Sequence, residues 1–255
     1  MNPPPPMEIR HYENPSQWTA ERYLGDAAEV KRFAASAALL PESGTLLDIG
    51  TGNGAFLRYL EDHNTPLDLL GLERSTAARE AALCRAEIRA GSAETLPFDD
   101  RSFEVITALE VIEHLPFGVY ESALDEMQRV AAAAIVISVP YREPRRRVNC
   151  PYCGCGFHPN YHMRRFDEAR METLFPAFKL ERLNIVRVPD YVVMPAIRWW
   201  GRLLRPTPFP ATAVCPQCGY ARTGGAAVKP PRRKPLAFVP VWQRPNWFVA
   251  LYRRR

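Results

Sequence analysis

Leu47-Asp48-Ile49-Gly50-Thr51-Gly52-Asn53-Gly54 is the stretch on which the architecture turns. A short apolar run from Thr45 to Ile49 leads into it, and Ala55 to Asp62 continues from it with helical spacing. Glycines between a strand and a helix let the backbone reverse tightly and approach a ligand with no Cβ in the way. Glu73 closes the next apolar run, Leu67 to Leu72, where a carboxylate can accept hydrogen bonds from ribose hydroxyls. A plain tight turn would use the same glycines. Gly50-x-Gly52-x-x-Ala55 also satisfies the relaxed dinucleotide fingerprint, so this turn alone leaves a nicotinamide enzyme open.

Outward from this turn, helical and extended patterns alternate. Gln17 to Leu40 reads as one Ala-rich leading helix, with Trp18, Leu24, Ala28, Val30 and Phe33 at helical spacing and Pro41 and Gly44 ending it. Beyond Glu73 the pattern predicts a helix over 76–86 and strands over 87–90 and 103–109. A helix over 120–130 and a strand over 133–139 come next. Such alternation implies an α/β fold with a doubly wound, Rossmann-like, mostly parallel sheet. After Pro140 the pattern breaks at Arg145 to Arg147 and a Cys/His-rich segment, then resumes as a helix over 167–175 and a strand over 178–188. From Pro189 prolines are dense, and no closing hairpin is legible.

Ala90-Gly91-Ser92-Ala93-Glu94-Thr95-Leu96-Pro97-Phe98-Asp99-Asp100-Arg101-Ser102-Phe103-Glu104-Val105 resembles the stretch that frames adenine in class I S-adenosylmethionine-dependent methyltransferases. Leu109-Glu110-Val111-Ile112-Glu113-His114-Leu115 and Glu126-Met127-Gln128-Arg129-Val130 are similar to the next segments of that family, and His162-Met163-Arg164-Arg165-Phe166 resumes the match. The resemblance implies that Gly50, Gly52 and Gly54 pass under the methionine part of the donor and that Asp48 organises its amino group. It further implies that Glu73 holds the ribose, with Ser92, Ala93 and Glu94 beside the adenine. The family usually has Asp where this chain has Ser92, which puts the adenine amino contact in doubt. The expected organisation is a disordered lead-in (1–16), an S-adenosylmethionine-binding core (17–140) and a Cys/His-rich insertion (141–161). The end of the catalytic core (162–188) and a basic, Pro/aromatic-rich C-terminal region (189–255) complete it.

Glu110, Glu113 and His114 stand at i, i+3 and i+4, so on a helix they would share one face. They come after a strand, at the carboxyl edge where open sheets of this kind place their chemistry. Two carboxylates and an imidazole suit a hard divalent ion such as Mg²⁺, which could lower the pKa of an acceptor hydroxyl. The pattern resembles that of ubiquinone-pathway O-methyltransferases and small-RNA 2′-O-methyltransferases, and His162 stands where the family often has a histidine near the acceptor. The resemblance implies for His162 the role of a fourth ligand or a general base. A helix cap or an ion pair would use Glu and His without any metal.

Cys150-Pro151-Tyr152-Cys153-Gly154 and Cys215-Pro216-Gln217-Cys218-Gly219 form a matched pair. Two residues between thiolates turn both sulfurs toward one ion, and two such knuckles close a tetrahedral structural Zn²⁺ site. The intervening residues, 154–214, exceed the usual ribbon spacing, so the site would staple the insertion to the C-terminal region. Cys155, His158 and His162 are alternative ligands. Bacterial methyltransferases with Cys knuckles and a Phe-His-x-x-x-His segment, here Phe157 to His162, resemble this region, and some accompany cell-surface glycan synthesis.

The net charge of +5 conceals a segregation: residues 1–140 hold 11 Lys+Arg against 22 Asp+Glu, residues 141–255 hold 22 against 6. The second half therefore faces an anionic partner or is a merely soluble tail. Aromatic and basic residues mix around Arg198, Trp199, Trp200, Arg202 and Arg205 and again over 242–255. They suit stacking and phosphate contact, seating at a membrane interface, or simple covering of the core. No run of 18 apolar residues occurs and the N-terminus lacks the features of a secretory signal, so a cytoplasmic enzyme with no transmembrane segment is expected. The leading expectation is O-methylation of an anionic small-molecule, glycan or lipid-linked acceptor. An RNA methyltransferase and a non-catalytic donor-binding or zinc-ribbon interaction protein are the alternatives.

Overall fold

The computed structural model describes residues 11–144, 147–191, 209, 213–220 and 241–255. The basic-aromatic group from Arg198 to Arg205, together with Arg145 and Arg146, lies outside them. Helices α1 (Ala20–Tyr23) and α2 (Ala27–Ala37) lead into β1 (Gly44–Ile49), α3 (Ala55–Asp62), β2 (Leu67–Glu73), α4 (Thr76–Glu80) and β3 (Glu87–Ala90). Next come β4 (Phe103–Leu109), α5 (Val119–Val130), β5 (Ala131–Pro140) and the two-residue strands β6 (Val148–Asn149) and β7 (Gly156–Phe157). The described chain closes with α6 (Glu168–Glu172), β8 (Phe178–Tyr191) and β9 (Val241–Arg254).

Seven strands make one sheet in the order β3-β2-β1-β4-β5-β9-β8. Every pairing from β3 to β5 is parallel, and β9 runs antiparallel to both β5 and β8. β1 is the central parallel strand, and Leu46 and Leu47 are fully buried on its opposite faces. A strand covered on both sides is apolar where it is covered, which is why Leu46, Leu47 and Ile49 are buried, and Asp48 is the charged residue that interrupts the run near its carboxyl end. Phe33 of α2 and Phe56, Leu57 and Leu60 of α3 pack on one face with Leu46 and Val105. Tyr120, Leu124 and Met127 of α5 and Met171 of α6 pack on the other with Leu47 and Ile106. Among the described residues no helix is long and apolar enough to cross a membrane.

The leading helix is not continuous. A 3-10 turn (Pro15–Gln17), α1 and α2 replace it, because Thr19 and Asp26 each accept a backbone N–H two or three residues on and so start new helices. The helix expected over 76–86 stops at Glu80. Leu83 N–H is drawn to Asn53 O at 2.8 Å, and the Arg85 and Ala86 N–H groups go to the Glu61 carboxylate.

The lead-in also differs from expectation, since residues 11–16 are ordered. His11 is buried, and Tyr12 O accepts hydrogen bonds from Trp18 Nε1 at 2.7 Å and Ser75 Oγ at 2.9 Å. The Glu13 carboxylate accepts the Thr76 and Ala77 N–H groups, both at 3.0 Å, at the start of α4. The hairpin that the sequence does not reveal is β8–β9, paired from Phe178↔Arg254 to Tyr191↔Val241 with register shifts between Leu180 and Arg182 and between Val186 and Arg187. Trp247, Phe248 and Tyr252 of β9 are core residues, which favours core covering over ligand stacking for them, whereas Trp242 is exposed.

Candidate active site and cysteine cluster

The glycine turn lies at the carboxyl end of β1. Gly50, Gly52 and Gly54 all have positive φ, and the requirement is sharpest at Gly52, with φ +59°. A Cβ there would stand 2.6 Å from a ring carbon of Trp18, so the N-terminal segment closes directly over the turn. Glu73 is held beneath it: Oε2 accepts Gly52 N–H at 2.9 Å and Oε1 accepts Ser75 N–H at 2.7 Å. Burial raises the Glu73 pKa, and those two N–H donors oppose the rise. Asp48, 2% exposed, accepts Thr107 Oγ1–H at 2.6 Å. Its pKa is pushed up to about 6 by burial, with the Thr107 hydroxyl restraining the shift.

A cleft of ≈ 1660 Å³ runs from this turn to the far end of β4 and β5. Asp48, Gly50, Gly52, Glu73, Ser92 and Ala93 line it, as expected of a donor site. Two expected donor residues do not. Gly54 backs onto Cys84 and Ile88, so its positive φ serves the turn and its packing, and Glu94 is exposed to solvent.

At the other end, Glu110, Glu113 and His114 are not on a helix. Glu110 reverses the chain with φ +59°, an uncommon conformation for a residue with a side chain, and residues 110–114 form a turn in which His114 N–H reaches Val111 O at 3.0 Å. The turn still brings chemistry together. Glu113 is fully buried, and its Oε1 is 3.8 Å from His114 Nε2. Glu113, His114 and His162 offer ligand atoms that all lie within 4.8 Å of one another, with Glu110 outside that set. Glu110 Oε1, both Glu113 carboxylate oxygens, His114 Nδ1 and Tyr12 Oη are buried without a hydrogen-bond partner.

Unpartnered buried carboxylates are costly when charged. Burial accordingly lifts Glu110 to about 7 and Glu113 well above the carboxylate range, the Glu110 charge adding to the latter. Burial and the neighbouring His162 hold His114 well below the usual imidazole value. A divalent cation at this end would satisfy the orphaned oxygens and neutral imidazoles together, so the residues fit one.

Sequence reasoning missed His11 and Tyr12, which reach this end from the segment expected to be disordered, and Arg32. Arg32 is 3% exposed and lines the cleft between Glu29 and Ser138, with NH1 3.0 Å from Ser138 Oγ. The polar-aromatic run His11-Tyr12-Glu13 just ahead of the helical pattern is the signal that could have found the first two.

The four cysteines converge as their spacing implies. Cys150 Sγ is 3.7 Å from Cys218 Sγ, and Cys153 Sγ is 3.6 Å from Cys215 Sγ. A tetrahedral ion with sulfur bonds of about 2.3 Å requires sulfur–sulfur edges of ~3.8 Å, so the set fits zinc. The knuckles match in detail: Gly154 N–H bonds Cys150 O at 2.9 Å, Gly219 N–H bonds Cys215 O at 3.0 Å, and both glycines have positive φ. Cys155, His158 and His162 stand outside the four-sulfur group.

A parallel sheet with one reversed strand beside the last, and an acid-backed glycine turn under a large cleft, define a class I S-adenosylmethionine-dependent methyltransferase. A family model described as a methyltransferase domain matches residues 19–183, and the chain belongs to that family. No curated protein sequence matches the chain. A chain from the complex between the Haloferax volcanii Trm112 methyltransferase activator and a methyltransferase shares the fold at TM-score 0.60 and 17% identity, over 95% of this chain and 97% of that one. An S-adenosylmethionine-dependent methyltransferase from Thermotoga maritima aligns at TM-score 0.50 and 19% identity, over 92% and 98%. The cyclase SpnF aligns at TM-score 0.54 and 17% identity, over 89% and 80%. Identities this low establish the fold and leave each neighbour's reaction and partners its own.

Proposed function

We propose that this methyltransferase transfers the donor's methyl group to an oxygen of a small-molecule, glycan or lipid-linked acceptor. Glu113, His114 and His162, with Glu110 beside them, would hold a divalent ion such as Mg²⁺. The buried, unpartnered oxygens of Glu110 and Glu113 carry this reading. When bound, such an ion would neutralise the carboxylates and lower the pKa of an acceptor hydroxyl. Asp48 and Glu73 seat the donor at the opposite end of the cleft, and alignment of acceptor oxygen with the donor's methyl carbon is the main contribution of the fold. His162 contributes an imidazole nitrogen, as ligand or as proton acceptor. The cleft, at ≈ 1660 Å³, exceeds the roughly 300–1,000 Å³ of ordinary ligand sites, which supports a bulky acceptor bound beside the donor.

Calorimetric titration with Mg²⁺ and Mn²⁺, then assay of acceptor fractions for S-adenosylhomocysteine release, tests this reading. Divalent binding that Glu113→Gln abolishes, with oxygen-linked product, supports it. Turnover indifferent to divalent ions, or salt-steep binding of RNA with methylated RNA as product, overturns it. We also propose that Cys150, Cys153, Cys215 and Cys218 hold one structural zinc ion. Elemental analysis of the purified chain should find it, and a zinc-free, folded protein would refute the assignment.

A further inference from the structure

His162 also belongs to a second trio, whose other two members, Glu143 and His158, have no role in methyl transfer so far. Glu143, in the loop after β5, places Oε2 against His162 Nδ1 and 3.8 Å from His158 Nε2. The ligand atoms of Glu143, His158 and His162 all lie within 4.8 Å of one another. Two imidazoles and a carboxylate have the composition of a transition-metal site, but the hydrogen bonds assign them differently. His158 Nδ1 accepts backbone N–H groups from Asn160 at 3.3 Å and from His162 at 3.1 Å. A ring nitrogen that accepts N–H carries no proton, so neutral His158 keeps its proton on Nε2, on the side of Glu143. No lone pair remains there for a metal.

The same logic fixes His162. An ionised carboxylate only accepts, so the nitrogen against Glu143, Nδ1, carries the proton, and in the neutral ring Nε2 is then the bare nitrogen. The His162 ring is nearly buried and stands edge to face with His114, ring centres 4.6 Å apart, at the end of the cleft where Glu113 lies. The parallel stack of His158 on His162, centres 4.7 Å apart at 19°, blocks the ring from turning over.

We propose that Glu143 is a positioning residue that locks His162 in the Nδ1–H tautomer and so presents an unprotonated Nε2 to the acceptor end, with His158 as the wedge that keeps the ring in place. This inference rests on the reading of His162 as ligand or proton acceptor, either of which needs a lone pair at Nε2. A carboxylate on the distal nitrogen of a working histidine is the general device for that purpose.

The test reads the tautomer directly and needs neither acceptor nor turnover. In the full chain with ¹⁵N-labelled histidine, long-range proton–nitrogen correlation separates the five histidines. His162→Gln and His158→Gln spectra assign the two in question. His162 is expected as Nδ1–H and His158 as Nε2–H. Glu143→Ala should convert His162 to Nε2–H or to an exchanging mixture, and Glu143→Asp should restore Nδ1–H. Native His162 found as Nε2–H, or an unchanged His162 in Glu143→Ala, overturns the proposal. So does a second zinc equivalent that Glu143→Ala removes, which would make the trio a metal site. Failure of the methylation reading would leave these spectra as expected, so the two can fail separately.

Discussion

Thr107→Val probes the donor site through a single hydrogen bond. Valine nearly copies the shape of threonine, so the buried strand β4 is kept while Asp48 loses the donor 2.6 Å from its Oδ1. A hydrogen bond to a charged group contributes about 1.5–3 kcal/mol, and each pKa unit corresponds to about 1.36 kcal/mol. The Asp48 pKa, about 6 in the native chain, should therefore rise by roughly one to two units. At pH 7 the ionised fraction would fall from about nine-tenths to between one-half and one-tenth, weakening by roughly two- to tenfold any binding that needs the carboxylate.

The sign follows from the role proposed for Asp48, attraction of the donor's ammonium group, which needs the carboxylate ionised. Native affinity should be lost as pH falls through about 6, and the variant's should be lost at the higher pH where its own carboxyl protonates. Stability runs the other way. A carboxyl whose folded pKa is raised costs the fold stability while the unfolded chain is ionised and the folded one is not, so the unliganded native chain should lose stability through this group as pH climbs from 3.8, the ordinary value, to about 6, and no further above that. Calorimetric titration with S-adenosylmethionine from pH 5.5 to pH 8 would check the affinity. A flat profile, or a variant curve displaced equally at every pH, would refute the role given to Asp48.

Other perturbations separate the donor, acceptor and cysteine sites. Glu73→Ala strips the partner from Gly52 and Ser75 N–H and removes the carboxylate proposed to seat the donor, so donor affinity should fall by roughly tenfold or more, and an unchanged Kd would remove that assignment. Gly52→Ala puts a methyl 2.6 Å from Trp18 and forces a left-handed residue costing about 1–2 kcal/mol, so thermal denaturation should show a lower Tm and part of the loss should vanish in a Trp18→Ala background. Cys150→Ser with Cys215→Ser should release zinc and open residues 148–162 to protease while calorimetry still finds donor binding. Protease resistance retained without metal would show that the small apolar cluster there stands alone.

Features written in local spacing are legible in the sequence itself. The glycine turn, Glu73 at the end of the next strand and the paired Cys-x-x-Cys units each declare themselves within a few residues, because turn geometry and two-thiolate geometry are short-range requirements. Features that depend on partners far along the chain are not legible. Glu13 finds its role 63 residues away at the start of α4, and nothing in a lead-in of prolines announces it. The closing strand β9 is separated from β8 by residues 192–240, and Pro245 sits where the register shifts, breaking the alternation that marks a strand. Glu110, Glu113 and His114 belong together as their spacing suggests, but for a different reason: a left-handed Glu110 and a turn, not a helix face, gather them.

The cysteine cluster and the acceptor end are parts of one construction. From Cys150, whose N–H bonds Cys155 O at 2.9 Å, the chain runs through β7 to Tyr161, whose hydroxyl donates to Val214 O beside the second knuckle. Two residues later Met163 N–H bonds Glu113 O at 2.8 Å, within the turn that carries the buried carboxylate. The segment bearing His158 and His162 is thus pinned by the thiol cluster at one end and by the acceptor turn at the other. Among the described residues its buried core is Val148, Cys150, Phe157, Tyr161, Ala213 and Cys215. The paired thiols tie this segment to the second knuckle, so an ion bound among them would act on methyl transfer through the placement of His162.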